Sequence, residues 1–372
     1  MNGTRNRSLG SLIGGAAGDA LGYAVEFFCE DQIFRSFGPN GITQYVVNDG
    51  AARISDDTQM TLFTANGLLL AAASAEDQRN MDRYLQGIAY AYRQWYRTQM
   101  YGPSKAHSTA SDCWLMEKPG LYVARAPGNT CMSAIALGCH GSIDHPINHS
   151  KGCGGVMRVA PIGLLFPWNE HSVLDVDRLG AATAALTHGH EMGYIPAAML
   201  VHMIQMLSHG VVDSIYEATT KAMDAMQTLF PHAVHLPAFL KLMQCALHLA
   251  ESKISDLDAI HQLGEGWVGD EALAIAVYCA VKYADDFDRA LIASVNHQGD
   301  SDSTGAITGN ILGARLGLDG IPQKYIENLE LLDVITQIGE DLNACRNFYS
   351  QVDAGADDTW REKYLGRSWI NG

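Results

Sequence analysis

The sequence predicts an all-α protein, a single compact domain of roughly a dozen helices packed orthogonally. Three observations predict it. Apolar residues recur at three- and four-residue steps over long stretches. Alternating strand-like runs are few. Glycine, with 37 residues, concentrates in helix-like segments of small residues, where it costs a helix about 1 kcal/mol per residue against alanine. That cost is justified by close backbone contact between helices, or between a helix and a ligand.

The helical elements read off in order. Gly14-Gly15-Ala16-Ala17-Gly18 marks the first small-residue helix. Met81, Leu85, Ile88, Tyr92 and Trp95 share one helical face over residues 81–96. The same pattern recurs over 195–207, through Ile195, Met199, Met203 and Leu207, and again over 234–250 and 268–283. Gly305-Ala306, with Gly309 and Gly313, marks a second small-residue helix. Only Gly41–Val47 reads as extended, and no clear hairpin is expected. Residues 98–120 break the helical rhythm with Gly102-Pro103-Ser104 and Pro119-Gly120, as a long loop of the kind that forms lids. No repeat or linker divides the chain, so residues 1–372 are taken as one domain. The polar start, residues 1–8, is expected to be flexible.

Composition narrows the function. Hydrophobic residues make up 47% of 372, enough for a large core, and only 18% are charged. A formal net charge of -16 opposes nucleic-acid binding, which needs clustered Lys and Arg. It suits a carboxylate-lined cation site, although ordinary soluble enzymes are often as acidic. The eight cysteines form no C-x-x-C pair and no zinc-type spacing with His, so they read as scattered thiols of a reducing compartment. No signal peptide or membrane-length apolar run is visible, which makes the cytoplasm the expected location. A monomer is expected, because no coiled-coil seam appears.

Two acidic clusters carry the chemical signal. Ser55-Asp56-Asp57-Thr58 precedes a long apolar helix, and Asp300-Ser301-Asp302-Ser303-Thr304-Gly305 precedes a small-residue one. Taken singly, each reads equally well as a helix cap. Together they supply four carboxylates, a costly concentration of charge unless cations neutralise it. Oxygen donors suit hard cations such as Mg²⁺, Mn²⁺ or Ca²⁺. An EF-hand is excluded, because the twelfth loop position would be Ile311 instead of Glu.

Glu26, between Val25 and Phe27-Phe28, is either a buried structural acid or a carboxyl whose desolvation suits proton transfer. Lys151-Gly152-Cys153-Gly154-Gly155 leads into an apolar helix and could turn backbone N–H groups toward an anion. It lacks the order of a P-loop.

These elements, in this order, resemble the ADP-ribosylglycohydrolase family. The strings are GDALGYAVEF, SDDTQMT, GGVMRVAPIG, THG and GDSDSTGAITGNILGA, and they span residues 18–314. The resemblance implies an all-α fold around a central cleft holding two Mg²⁺, with Mn²⁺ as the other candidate. It implies metal ligation by Ser55, Asp56, Asp57, Asp300, Asp302 and Ser303, and catalytic roles for Glu26 and Asp302. It places a diphosphate on Lys151, Gly152, Cys153, Gly154 and Gly155, with His188 of Thr187-His188-Gly189 close to the bound ADP-ribose. The implied reaction is hydrolysis of ADP-ribose from a modified protein side chain, arginine being preferred. Serine-linked ADP-ribose and O-acetyl-ADP-ribose are alternative substrates. An immunity-type role, binding ADP-ribose or a cognate ADP-ribosyltransferase, is a further alternative. Arg125 and Glu271 either line the cleft or form structural ion pairs. The water-positioning aspartate of some relatives has no obvious counterpart here; Asp112 and Glu117 are the nearest acids.

Overall fold

The computed structural model describes residues 3–74, 80–106, 111–168, 173–350 and 359–366. Helices dominate from the start: α1 (Gly3–Gly22) and α2 (Glu30–Phe37) precede a two-strand ribbon, β1 (Val47–Asn48) and β2 (Ala51–Ala52). Then come α3 (Asp56–Ser74), α4 (Met81–Met100), the short α5 (Pro103–Ala106), α6 (Asn129–Ala136) and α7 (Ala160–Leu165). The middle of the chain forms α8 (Val173–Ala185), α9 (Glu191–Ser208), α10 (Ile215–Leu229) and α11 (Leu236–Glu251). It ends with α12 (Asp256–Leu263), α13 (Gly269–Lys282), α14 (Phe287–Val295), α15 (Ser301–Leu316), α16 (Leu332–Ser350) and α17 (Thr359–Tyr364). Among the described residues no helix is long and apolar enough to cross a membrane.

The four periodic stretches became α4, α9, α11 and α13. Helix α9 is buried on every face from Met192 to Ser208, and α3 from Asp56 to Ala73. All-round burial marks these two as central helices.

The glycine-rich helices explain one another. Along α1 the small residues fall every fourth position, at Gly10, Gly14, Gly18 and Gly22. Along α15 they fall at Ser301, Gly305, Gly309 and Gly313, and the two rows meet antiparallel. A Cβ added at Gly14 would lie 2.5 Å from Gly309 O, and one at Gly305 would lie 2.5 Å from Gly18 O. Only glycine permits this approach. Gly14→Ala is expected to lower stability by about 2 kcal/mol, overpacking of about 3 less the helix-propensity gain of about 1. Thermal melting measures it, and an unchanged melting temperature would refute the tight-contact account.

Three expectations change. The supposedly flexible start is helical from Gly3: Arg5 pairs with Glu340, and Arg7 Nη1 donates to Leu207 O at 2.8 Å. Residues Gly41–Val46 form no strand, because the Asn296 side-chain amide binds both N and O of Ile42, at 2.7 and 2.8 Å. The hairpin lies just beyond, pairing Val47 with Ala52, and its turn is Asp49-Gly50 with φ of 51° and 82°. Asp-Gly favours that left-handed turn, but strands of two residues carry no alternation to announce it.

The 98–120 segment is shorter than expected, since α4 runs to Met100. Residues 107–110 of it lie outside the described residues. Leu115, Met116 and Leu121 are buried, and Leu115 N donates to Asn66 Oδ1 at 3.3 Å. The described part is a packed connection and does not line the central cavity.

Candidate active site

The contact between α1 and α15 sets the end of one against the start of the other. Tight turns after α1 (Val25 N to Gly22 O, Phe28 N to Val25 O, both 2.8 Å) carry Glu26 over the first turn of α15. Helix α3 starts at the same place. Its first amides are capped by Asp19, from α1: the Asp19 carboxylate accepts from Ser55 N at 2.9 Å, from Thr58 N at 3.0 Å and from the Thr58 hydroxyl. The cap therefore comes from another helix, and this releases the local carboxylates. Asp56 Oδ2 accepts from Gly128 N at 3.2 Å, while Asp57 Oδ2 is buried without a partner. At the second cluster, Asp300 caps α15 through Ser303 N. The positive ends of two helices thus converge on the acids.

A cleft of about 620 Å³ opens on this point. Glu26, Asp56, Asp57, Asp300, Asp302 and Ser303 line it, together with Gly152, Cys153, Gly154 and His188. Glu26, Asp300 and Asp302 each present an oxygen within 4.8 Å of the others. Glu26 therefore stands inside the acidic cluster. Its Oε2, like Asp57 Oδ2, is buried and unpartnered. Such orphan carboxylates are costly unless a cation completes them, and the donors fit a hard divalent ion.

Three expected site residues are not part of the cleft wall itself. Ser55 is fully buried at the base of the acids, where its Oγ accepts from Asp57 N at 3.1 Å and its hydroxyl reaches the Asp302 carboxylate. Lys151 is exposed, and its carbonyl accepts from Gly269 N at 2.8 Å. Gly155 lies against α9, where a Cβ would sit 2.6 Å from Gly193 O. Two loop amides are already committed, Gly152 N to Ser150 Oγ at 3.3 Å and Cys153 N to Trp267 O at 3.2 Å.

Arg125 and Glu271 resolve as structural. Arg125 pairs with Glu330 at 3.0 Å, and Glu271 Oε2 accepts from the Glu265 and Gly266 amides. Neither Asp112 nor Glu117 lines the cleft.

Sequence reading missed Asp19, Asn129, Thr130 and Trp267. Asp19 had a signal: a lone acid in a helix of small buried residues needs a partner. Trp267 lines the cleft and stacks on the exposed Phe27, with centroids 6.4 Å apart and rings 22° from parallel. It had no signal beyond its aromatic type.

His188 is positioned by a chain of donors. Arg158, fully buried, donates to Thr187 Oγ1 at 2.7 Å, and Thr187 Oγ1 lies 2.8 Å from His188 Nδ1. A guanidinium only donates, so the threonine proton is directed to Nδ1, nearer than its other acceptor, Ala184 O at 3.4 Å. The ring proton then sits on Nε2, toward Gly152 and Gly154. Burial first, and then Arg158, lower the His188 pKa to about 3, which keeps the ring neutral.

Burial and mutual repulsion raise the acids. Asp19 goes from 3.8 to about 7, through burial first and the Asp302 charge second. Glu26 goes to about 10, through burial and then Asp302, Asp300, Asp56 and Asp19. A carboxyl whose folded pKa is raised stabilises fully below its unfolded value and loses that contribution as pH climbs through the folded one. In EDTA, then, the Asp19 contribution disappears between 3.8 and about 7. Divalent cation is expected to raise the melting temperature more at pH 8 than at pH 5, since protons and cations compete for the same oxygens. Paired melts with Mg²⁺ and with EDTA measure this, and an equal shift at both pH values would contradict it.

Comparisons with known proteins point to one family. Residues 1–351 match the family model described as ADP-ribosylglycohydrolase. The chain is 25% identical over 333 residues to the ADP-ribosyl-[dinitrogen reductase] glycohydrolase of Rhodospirillum rubrum, covering 88% of this chain and 91% of that protein. It is 23% identical over 348 residues to the ADP-ribosylarginine hydrolase Tri1 of Pseudomonas putida, covering 91% and 78%. It is 27% identical over 221 residues to human ADP-ribosylhydrolase ARH3, a match spanning 50% of this chain and 57% of that one. A solved structure described as an ADP-ribosylglycohydrolase-related protein complex shares the fold, with a TM-score of 0.58 at 22% identity over 93% of this chain and all of that one. With nearly the whole chain matched by the family model and its two acidic segments brought to one cleft, the protein belongs to the ADP-ribosylglycohydrolase family.

Proposed function

We propose that this protein is a magnesium-dependent hydrolase that removes ADP-ribose from arginine side chains of modified proteins. The observation carrying this reading is the cluster of Glu26, Asp300 and Asp302, within 4.8 Å, beside the glycine loop and His188. The arginine linkage is chosen over the others on the Gly-Cys-Gly loop and the Asp-Ser-Asp-Ser segment, and on the activity named for the P. putida relative. The working form is a cytoplasmic monomer of one domain, with the modified protein as its partner.

The scissile bond is at C1 of the ribose that carries the side chain, and its cleavage builds oxocarbenium character. Asp56, Asp57, Asp300, Asp302 and Ser303 would hold two Mg²⁺. When bound, the cations supply Lewis acidity and orient the ribose hydroxyls. With cations neutralising the acids around it, Glu26 would be ionised; it accepts a proton from the attacking water and returns one to the departing guanidine nitrogen. The His188 Nε2–H and the Gly154 backbone beside it bind the diphosphate, whose charge calls for donors and not for another anion. Phe27 and Trp267 form an aromatic rim at the mouth.

The His188 arrangement carries its own prediction. Thr187→Val removes the oxygen that fixes the tautomer and is expected to weaken ADP-ribose binding about tenfold, the value of roughly one hydrogen bond. Thr187→Ser should restore it. Calorimetric titration with ADP-ribose, read with the ¹⁵N signals of His188, measures both, and unchanged affinity in the valine variant would remove the relay.

The function itself is tested by incubating the protein with a mono-ADP-ribosylated arginine substrate in Mg²⁺ or EDTA and weighing the products by mass spectrometry. Mg²⁺-dependent release of free ADP-ribose is expected. Release only from serine-linked substrate or O-acetyl-ADP-ribose would replace the arginine assignment, and no release from any of them would overturn the hydrolase.

A further inference from the structure

We propose that the acidic centre has a second binding mode, for a thiophilic divalent cation of the zinc or cadmium class, with Cys153 Sγ as a ligand beside Asp300 and Asp57. The inference rests on reading the acidic cluster as a cation site, but it does not require hydrolase activity.

The sequence suggests a donor set of oxygens alone. The fold adds a sulfur. Cys153 Sγ lies 2.6 Å from Asp300 Oδ2, at the edge of the cluster. The backbone holds it there: Cys153 N donates to Trp267 O at 3.2 Å, and Cys153 O accepts from Val156 N at 2.8 Å and Met157 N at 3.2 Å. A second observation comes from Asp57, on a different helix. This residue is 3% exposed, lines the same cleft and carries an oxygen with no hydrogen-bond partner. A thiol, a capping carboxylate and an orphan carboxylate thus border one space.

Cys131 lines the cleft too, but its sulfur lies 3.4 Å from Arg158 Nη1, where a fixed positive charge opposes a metal ion. Cys153 has carboxylates for neighbours instead, and these attract one.

Sulfur and oxygen donors sort cations. Mg²⁺ demands oxygen ligands in near-octahedral array and has little affinity for sulfur. Zn²⁺ and its heavier congener accept mixed thiolate and carboxylate ligands in tetrahedral sites that can leave one position for water. As the metal–sulfur bond forms, the thiol proton leaves to solvent, and the thiolate with two carboxylates outweighs the charge of the ion. Because Asp57 and Asp300 belong to both sets, the thiophilic cation and the hard cations exclude each other. Zinc thereby acts as an inhibitor that shares a ligand with the working metal.

The test uses full-length metal-free protein titrated with Cd²⁺, read by the thiolate-to-cadmium charge-transfer absorbance in the ultraviolet and, in parallel, by equilibrium dialysis. One Cd²⁺ per chain with a strong band is expected for the wild type and for Cys131→Ser. Cys153→Ser should lose the band, and Asp57→Asn should weaken Cd²⁺ binding about tenfold or more. An undiminished band in Cys153→Ser, or cadmium bound with no band in the wild type, overturns the proposal. A Cys153-dependent band in a protein that releases no ADP-ribose sustains it while sinking the hydrolase reading. Failure of dialysis to detect any bound cadmium sinks it together with the cation-site reading.

Discussion

Asp302→Ala is expected to abolish cation-dependent turnover, by about a thousandfold or more, while the helices remain folded. The reason is the place of Asp302 at the electrostatic centre of the cleft. It is 2% exposed. After burial, its charge is the next cause raising the carboxyls of Asp19, Glu26, Asp56, Asp57 and Asp300. Deleting it takes one ligand from the cation and relieves repulsion among the rest. The two effects separate in a melt. The variant in EDTA should be at least as stable as the wild type in EDTA, and it should lose the stabilisation that Mg²⁺ confers on the wild type. Circular dichroism checks the fold, and the release assay checks turnover. Wild-type turnover in Asp302→Ala would remove the acidic cluster from the reaction, and a collapsed fold would make Asp302 structural.

Glu26→Gln is expected to cut turnover about a hundred- to a thousandfold, within the range of a general acid–base group, with ADP-ribose affinity changed little. The substitution keeps shape and removes the titrating proton. Because Glu26 lies within 4.8 Å of Asp300 and Asp302, its loss could also act by weakening a cation. Raising Mg²⁺ separates the two roles. If Glu26 moves protons, saturating Mg²⁺ leaves the defect in place, and the wild-type pH–rate profile loses one limb in the variant. If saturating Mg²⁺ restores the rate, Glu26 is a ligand and the proton assignment falls.

How far the site was legible follows from the range of each signal. The two acidic clusters were visible because each is contiguous and each opens a helix, so local spacing alone suggested caps or ligands. Which of the two they were was not local. Helix α3 receives its cap from Asp19, 36 positions before Ser55, and only that distant carboxylate leaves Asp57 with an orphan oxygen. Ser55 reads as a ligand from its place in the string, but which groups its side chain meets, Asp57 N and the Asp302 carboxylate, is ambiguous from spacing, because a helix start turns successive side chains to different sides. Lys151 suffered the same ambiguity, since a loop residue has no periodicity to say which way it points.

By itself the sequence determined the helical class, the existence and approximate positions of α4, α9, α11 and α13, the acid-rich character of the site and the family. These depend on residue type and on periods of three or four, which are written along the chain. The tertiary structure alone decided that α1 and α15 meet along their glycine rows, that Glu26 joins Asp300 and Asp302, that Asp19 caps α3, and that Cys153 brings sulfur to the acids. Each is a contact between residues far apart in sequence, created when helices bury small faces against each other, and no local pattern encodes the partner.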